Sequence, residues 1–342
     1  METVNTVSIL IDACLRSDIE QTSILHNPLS GYIYFNNIYA HAGDTLSALT
    51  SVYSGYDCFG HGISSMYKLL MDGGNSTYPK ARAFPTLPML LGSIGINTFL
   101  VGSDALWLAI GYKWTVPLTA DEFILQPGII EELDEPFFLH IHLWSAHLGC
   151  RVRAKDEKCT TALSDKTMNI KRLDGYVRRF IHSLWEKYPN TQILIWSDHG
   201  DIETEKGIRH AGILHEKVQG VWAILLNRKF EKKVIDNRLH AQADLFRLMN
   251  YNISDNADIP RYAINPMNTH RKKVWASSWQ SDTVKRYPDG KECKIDEMIE
   301  TDEDFQEHIK TYGHLIPIDF PPLGSNWPHE KVVERLKELG YL

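Results

Sequence analysis

The sequence predicts an α/β protein: a mostly parallel central sheet with helices on both faces, followed by a small C-terminal α+β subdomain. Three observations carry this. The runs "VSILIDA", "PFFLHIHLW" and "TQILIWSD" are apolar almost throughout rather than alternating, as strands covered on both faces are. Segments with apolar residues at helical spacing separate such runs, the alternation that builds a parallel sheet. The texture then changes after about Pro260, where hairpin-like and acidic segments follow. The expected division is 1–260 for the main domain and 261–342 for a subdomain packed on it.

Element by element, "VSILIDA" reads as the first buried strand and "GYIYFNNIYA" as a second extended segment. "TLSALTSVYSG" predicts a short helix from Thr45 with Gly55 as its stop. "FPTLPMLLGSIG" has a helical pattern ending at Gly95, and "NTFLVG" follows as a strand. "PFFLHIHLW" is a strand opened by Pro136, and "MNIKRLDGYVRRFIHSLWEKYP" a helix stopped by Pro189. "TQILIWSD" and "VQGVWAILL" are strands, and "LHAQADLFRLMNY" is helical. Beyond 260, "VWASSWQSDTVKRYPDGKECKI" predicts two strands around a Pro-Asp-Gly turn. "DEMIETDEDFQEH" reads as a solvated helix or loop, and "PHEKVVERLKELGYL" as a closing amphipathic helix.

With 342 residues the chain can bury a large core. A net charge of −7 gives no electrostatic case for nucleic acid or an anionic membrane. Lys171, Arg172, Arg178 and Arg179 read as one solvated helix face. No run suits a transmembrane helix, and the opening residues lack the features of a signal peptide. The five cysteines, Cys14, Cys58, Cys150, Cys159 and Cys293, are scattered without CxxC pairs, so neither a disulfide framework nor a zinc cage is expected. A reducing, cytoplasmic setting is the simplest expectation.

In open α/β sheets, ligands gather beyond the carboxyl ends of the strands. Four segments deliver metal-capable residues there. "SILID" ends at Asp12; "LHIHLWSAH" supplies His142 and His147; "ILIWSDHGD" supplies Asp198 and His199; "YAHAGDT" brings Thr45 to a helix start. Singly, each has a plain structural reading: Asp12 or Thr45 as a helix N-cap, His142 as a satisfied core histidine. Together they point to a metal site, and carboxylates mixed with imidazoles favour Zn²⁺ or Mn²⁺ over Ca²⁺. Asp-His-Gly at a strand end sets two ligand types side by side before a residue that lets the backbone turn sharply. The densest stretch is "ILIWSDHGDIETEKGIRHAGILHE", with Asp198, His199, Asp201, His210 and His215.

The segments "ILIDACLRSD", "YIYFNNIYAHAGDTLSALTSVYSGYDCFGHGI", "PFFLHIHLWSAHLG", "IWSDHGD" and "IRHAGILHEKVQGVWAILL" occur in an order that resembles the alkaline phosphatase superfamily, in particular its sulfatase-like branch. That branch includes arylsulfatases, phosphonate monoester hydrolases and phosphoethanolamine or phosphoglycerol transferases. The resemblance implies an alkaline phosphatase/sulfatase-like fold with a catalytic domain over 1–260. It also implies a main metal site of Asp12, Thr45, Asp198 and His199, holding one of one or two divalent ions. His147 and His210 match histidines used for the transferred phosphoryl group or a second metal, with His215 competing for the role of His210. Arg16, His142, His147 and His215 are the implied substrate-side residues. Thr45 stands where sulfatases carry a modified Cys or Ser, but "TLSAL" has neither the Pro nor the Arg of their Cys/Ser-x-Pro-x-Arg context, so ordinary sulfatase activity is not expected.

The implied activity is that of a metal-dependent phosphodiesterase, phosphatase or phosphotransferase working through a phospho-threonine. The alternatives are a sulfatase-like hydrolase of another ester, a phosphomutase, or a degenerate homologue that binds an anionic glycan or headgroup without turnover. The expected partner is a small-molecule or glycan phosphoester.

Overall fold

The protein was analysed as a computed structural model that describes residues 5–61, 86–102, 114–117, 127–147, 163–204, 207–210, 212–250, 272–278 and 283–313. The elements, in chain order, begin with β1 (Thr6–Ile11), α1 (Arg16–Ile19), α2 (Ser23–His26), β2 (Tyr32–Tyr39), α3 (Thr45–Ser54) and α4 (Cys58–His61). Next come α5 (Leu87–Ser93), β3 (Asn97–Gly102), β4 (Trp114–Pro117), α6 (Pro127–Glu131), β5 (Phe137–Leu143) and the long α7 (Leu163–Lys187). They continue with β6 (Gln192–Trp196), β7 (Ile202–Thr204), β8 (Gly207–Arg209), α8 (Glu216–Gln219), β9 (Gly220–Leu226), β10 (Lys233–Asp236), β11 (His240–Ala241) and α9 (Leu245–Asn250). The last are β12 (Val274–Ser278), β13 (Thr283–Tyr287), β14 (Glu292–Lys294), α10 (Ile295–Thr301) and α11 (Glu303–Gly313).

The central sheet has the order β10-β2-β9-β6-β1-β5-β3-β4, with β11 also on β2. β1 lies at its middle, parallel to β5 and β6. β9 alone runs against its neighbours β2 and β6. The apolar runs are explained by burial on both faces. Val7, Ile9 and Ile11 of β1 pack on one face with Val177, Phe180 and Leu184 of α7. Leu10, on the other face, shares a cluster with Leu49 and Val52 of α3, Leu91 of α5 and Phe246 of α9. The expected strands and the helix from Thr45 to Gly55 are present, and the sheet is mostly parallel as expected.

Three expectations are corrected. "LHAQADLFRLMNY" is not one helix: it begins as the short strand β11, passes through a 3₁₀ turn over Gln242–Asp244, and becomes α-helical only at Leu245. Asp244 accepts from the Ala241 N–H at 2.9 Å, so a side chain starts the turn. The segment after 272 contributes a three-stranded antiparallel sheet rather than two strands; the Pro-Asp-Gly turn joins β13 to β14. The acidic stretch is not merely solvated. It forms α10 and α11, whose Met298 and Phe305 are fully buried against Phe59, Trp275 and Val284. The closing segment "PHEKVVERLKELGYL" lies outside the described residues.

Gly55 ends α3 in the left-handed region, with φ 74°, and its N–H returns to Ser51 O at 3.0 Å. A Cβ there would meet the Phe246 ring at 3.3 Å. Gly55→Ala is therefore expected to cost about 1–2 kcal/mol, read as a lower denaturant midpoint at unchanged slope. An unchanged midpoint would contradict this cap geometry.

Candidate active site

β1 delivers the first residue of the site. The Asp12 N–H extends the ladder to Leu143 O at 2.9 Å, which fixes the carboxyl group at the sheet edge. Ala13 then turns the chain with φ 54°, the one non-glycine residue at positive φ among those described. That conformation is disfavoured for an L-residue by about 1–2 kcal/mol. Its polar groups are both used: the N–H donates to Asp198 Oδ1 at 3.0 Å and the carbonyl accepts from Lys166 Nζ at 2.6 Å.

β6 delivers the second group. The His199 N–H donates to Asp198 Oδ1 at 2.9 Å, and Gln242 Nε2 donates to the Ser197 and Asp198 carbonyls at 3.1 and 2.7 Å. The ring of His199 is set by Nδ1, which lies 3.1 Å from Gly200 O. A carbonyl can only accept, so Nδ1 carries a proton and Nε2 is the ring atom turned to the site. Nε2 faces Asp12 Oδ1 at 3.8 Å and Asp198 Oδ2 at 3.4 Å. Gly200 is required for a reason other than the expected sharp turn. A Cβ there would stand 2.0 Å from Lys217 O, so close backbone approach selects glycine.

Thr45 arrives from β2 through Gly43 and Asp44. The N-cap of α3 is Asp44, not Thr45: its carboxylate accepts from the Ser47 N–H at 3.1 Å. Thr45 is thus the first helical residue, and its hydroxyl is left to face the site. Thr45 Oγ1 lies 3.4 Å from Asp12 Oδ2 and 3.4 Å from His199 Nε2. Asp12 likewise caps no helix.

β5 and the turn after it supply two histidines in different positions. His142 is fully buried and meets Asp12 Oδ2 through Nε2 at 3.0 Å. It stands against the carboxylate and orients it. His147 lies further out, with Nε2 4.0 Å from Asp12 Oδ1 and its ring 5.0 Å from that of His210. The His210 ring stacks on His199 at 4.3 Å, and its Nδ1 meets Asp201 Oδ1 at 2.8 Å.

Two expected members lie elsewhere. The Arg16 guanidinium is committed to backbone carbonyls, Val221 O at 2.9 Å and Ile38 O at 2.8 Å, and so ties β2 to β9. His215 is exposed and caps α8 by accepting from the Lys217 N–H at 3.1 Å. His210, not His215, therefore joins the cluster. One member escaped the sequence reading: Lys166, buried at 3% exposure, whose Nζ reaches Asp201 Oδ2 at 3.2 Å. In sequence it is one more cation near the start of an amphipathic helix, with nothing to mark it.

Charge is unevenly held. Burial, followed by the repulsion of Asp198, pushes the Asp12 carboxyl up to about 6. Burial would also raise Asp198, but His199 and the Ala13 N–H outweigh it and hold that group below the ordinary range. Asp201 is likewise held low against burial by its hydrogen bond to His210 and by Lys166. Burial alone would lower His210, and Asp201 reverses this so that His210 is raised. His147, where burial dominates, is lowered.

This donor set fits a divalent cation. Among the described residues Asp12 Oδ1 and Asp198 Oδ2 are fully buried and accept no hydrogen bond, and both face His199 Nε2. Ligand atoms of Asp12, Asp198 and His199 lie within 4.8 Å of one another, as do those of His199, Asp201 and His210. Mixed carboxylate and imidazole donors suit Zn²⁺ or Mn²⁺.

The raised Asp12 group carries a testable sign. Its folded value, about 6, lies above the ordinary 3.8, so its contribution is fully present below 3.8 and is lost as pH rises through 6. In the metal-free protein, Asp12→Asn should raise the melting temperature at pH 7.5, with the gain shrinking towards pH 4. A gain that does not change with pH would refute the assignment.

No protein-family model and no curated protein matches the chain. Solved structures do. A protein in the alkaline phosphatase superfamily from Vibrio parahaemolyticus is similar over 91% of this chain and 86% of its own, at 14% identity and a TM-score of 0.60. The lipoteichoic acid synthase LtaP from Listeria monocytogenes is similar over 93% of this chain and 94% of its own, at 15% identity and a TM-score of 0.59. The C-terminal periplasmic domain of EptC from Escherichia coli, in complex with Zn, covers 81% of this chain and 90% of its own length, at 14% identity and a TM-score of 0.59. At such identities the likeness is one of fold: this chain has the alkaline phosphatase-superfamily fold.

Proposed function

We propose that this protein is a metal-dependent phosphoester hydrolase or phosphotransferase with Thr45 as its nucleophile. The observation that carries the reading is the place of the Thr45 hydroxyl, 3.4 Å from both Asp12 and His199 at the start of α3. Asp12, Asp198, His199 and Thr45 would hold Zn²⁺ or Mn²⁺. Such an ion supplies a lower hydroxyl pKa and polarisation of a phosphoryl oxygen. The names of two structural neighbours, a lipoteichoic acid synthase and a domain solved with zinc, agree in kind.

The residues of this chain then divide the work. Thr45 Oγ1 passes its proton to Asp12 Oδ2, 3.4 Å away, and attacks phosphorus in line, forming the Oγ1–P bond as the P–O bond to the departing ester oxygen breaks. The positive N-terminal end of α3 favours the incoming anion. His147 and His210 are placed on the open side of Asp12 and His199. There they stabilise phosphoryl oxygens or give a proton to the departing oxygen. Asp201 holds His210 by its Nδ1, leaving Nε2 for this task. Water or an alcohol then attacks the phospho-threonine and restores Thr45. His142 keeps Asp12 in position.

The lack of a Cys or Ser in a Pro- and Arg-containing context at Thr45 supports phosphate over sulfate esters. A small molecule or glycan is the substrate class we favour. The free thiols of Cys14, Cys58 and Cys293 support a reducing, cytoplasmic compartment. No helix among the described residues is long and apolar enough to cross a membrane. We read the sheet of β12–β14 with α10 and α11 as belonging to a subdomain over 261–342, beside a catalytic domain over 1–260.

Elemental analysis and intact mass test the reading together. Thr45→Ala should keep its zinc or manganese and lose turnover of aryl phosphate esters by about a thousandfold or more. Asp198→Ala should lose both metal and turnover. A phosphate-sized adduct should map to Thr45 in the wild type. Normal turnover in either variant would sink the assignment.

A further inference from the structure

Lys166 is a buried cation that the proposed chemistry does not use. It sits near the start of α7, a 25-residue helix fixed to the core by Ile170, Leu173 and Val177. An ammonium has three donors. Here it faces three oxygens from separate turns: Ala13 O at 2.6 Å, Asp201 Oδ2 at 3.2 Å and Asp18 Oδ2 at 3.7 Å. The first belongs to the left-handed turn directly after Asp12, whose N–H is held by Asp198. The second belongs to the carboxylate that holds His210. Asp18, for its part, caps α1 by accepting from the Leu15 N–H at 3.0 Å.

We infer that Lys166 is the positioning residue for His210, tying it through Asp201 to the turn that carries Asp12. The chain from Asp12 to Lys166 to Asp201 to His210 crosses three segments that have no backbone pairing in common near the site. Among the described residues β8, which precedes His210, pairs with β7, which follows Asp201, with Ile202 opposite Arg209 in a two-stranded sheet separate from the central one. This pairing sets His210 beside Asp201 without reaching the Asp12 turn, and Lys166 supplies that link. With one oxygen on Lys166 and the other on His210, the Asp201 carboxylate acts as a strut rather than a ligand.

The experiment compares Lys166→Met with Lys171→Met, which removes an exposed cation from the same helix. The first readout uses the metal-free protein. In the wild type and Lys171→Met, the His210 Nδ1 proton should give a downfield NMR signal, slowed from exchange by Asp201. In Lys166→Met it should be lost. The second readout is kinetic and rests on the phosphoester reading. With zinc content retained, kcat on an aryl phosphate ester should fall 10- to 100-fold, with KM within about threefold. In a His210→Ala background the same substitution should cost less than about threefold, because both changes cut one link. A persisting His210 signal, or an equal cost in both backgrounds, would overturn the positioning role and leave only charge compensation. A wild type without zinc or turnover would sink the phosphoester reading, while the metal-free signal would still decide the link. Should Lys166→Met not fold, Lys166→Met combined with Asp18→Asn, which relieves the carboxylate left unpaired and keeps Asp201 on His210, is read by the same outcomes.

Discussion

Two carboxylates buried side by side, Asp12 and Asp198, set the terms for the rest of the molecule. Like charges in a dry place repel strongly, and neither can escape to solvent. The chain holds them by surrounding each with donors. Asp12 receives His142 and Asp198 receives the N–H groups of Ala13 and His199. The central placement of β1, paired with β5 on one side and β6 on the other, makes this arrangement possible. The strand carrying Asp12 lies between the strand carrying His142 and the strand leading to Asp198. Among the described residues one oxygen on each carboxylate, Asp12 Oδ1 and Asp198 Oδ2, accepts no hydrogen bond, and a divalent cation would satisfy both.

The small antiparallel sheet has a share in this. Ser278 Oγ donates to Gly212 O at 2.6 Å, Lys285 Nζ donates to Leu214 O at 3.3 Å, and the Tyr287 hydroxyl donates to Gln219 at 3.2 Å. All three acceptors lie in the stretch between His210 and β9. Tyr287 also stacks on Tyr39, at the end of the strand that leads to Thr45, with ring centres 4.2 Å apart. His41, four residues before Thr45, lies with Nδ1 2.9 Å from Trp275 O. The sheet that reads in sequence as an appended hairpin is thus a wall for the loops bearing Thr45 and His210.

Much of this was legible from residues alone, because burial on both faces leaves an unbroken apolar run and the parallel rule says where such runs point. Asp12, Thr45, Asp198, His199, His147 and His210 come together at the edge that rule names. Spacing cannot say which way a side chain turns once it leaves the strand. His142 meets a carboxylate where a partner for substrate was expected, and Arg16 followed the first aspartate but was drawn to backbone carbonyls two and three strands away. His215 and His210 differ only in what they meet after folding: an amide of its own helix for one, Asp201 for the other. Lys166 was invisible for the opposite reason. It reaches the site from a helix, and nothing in a linear pattern connects it to a carboxylate 35 residues away.

The reversed direction of β9 explains the crowding of acidic and imidazole side chains between Ile193 and Glu216. Had β9 run parallel to β6, the chain would have had to cross to the far end of the sheet before entering it. Because it returns antiparallel to its neighbour, the connection from β6 to β9 starts and finishes at the same edge of the sheet. Asp198, His199, Asp201 and His210 could therefore be recruited from one piece of chain that starts and finishes at that edge. The density of a motif along a polypeptide can in this way record the handling of a single strand, and a cluttered stretch of sequence marks a place where the chain doubled back.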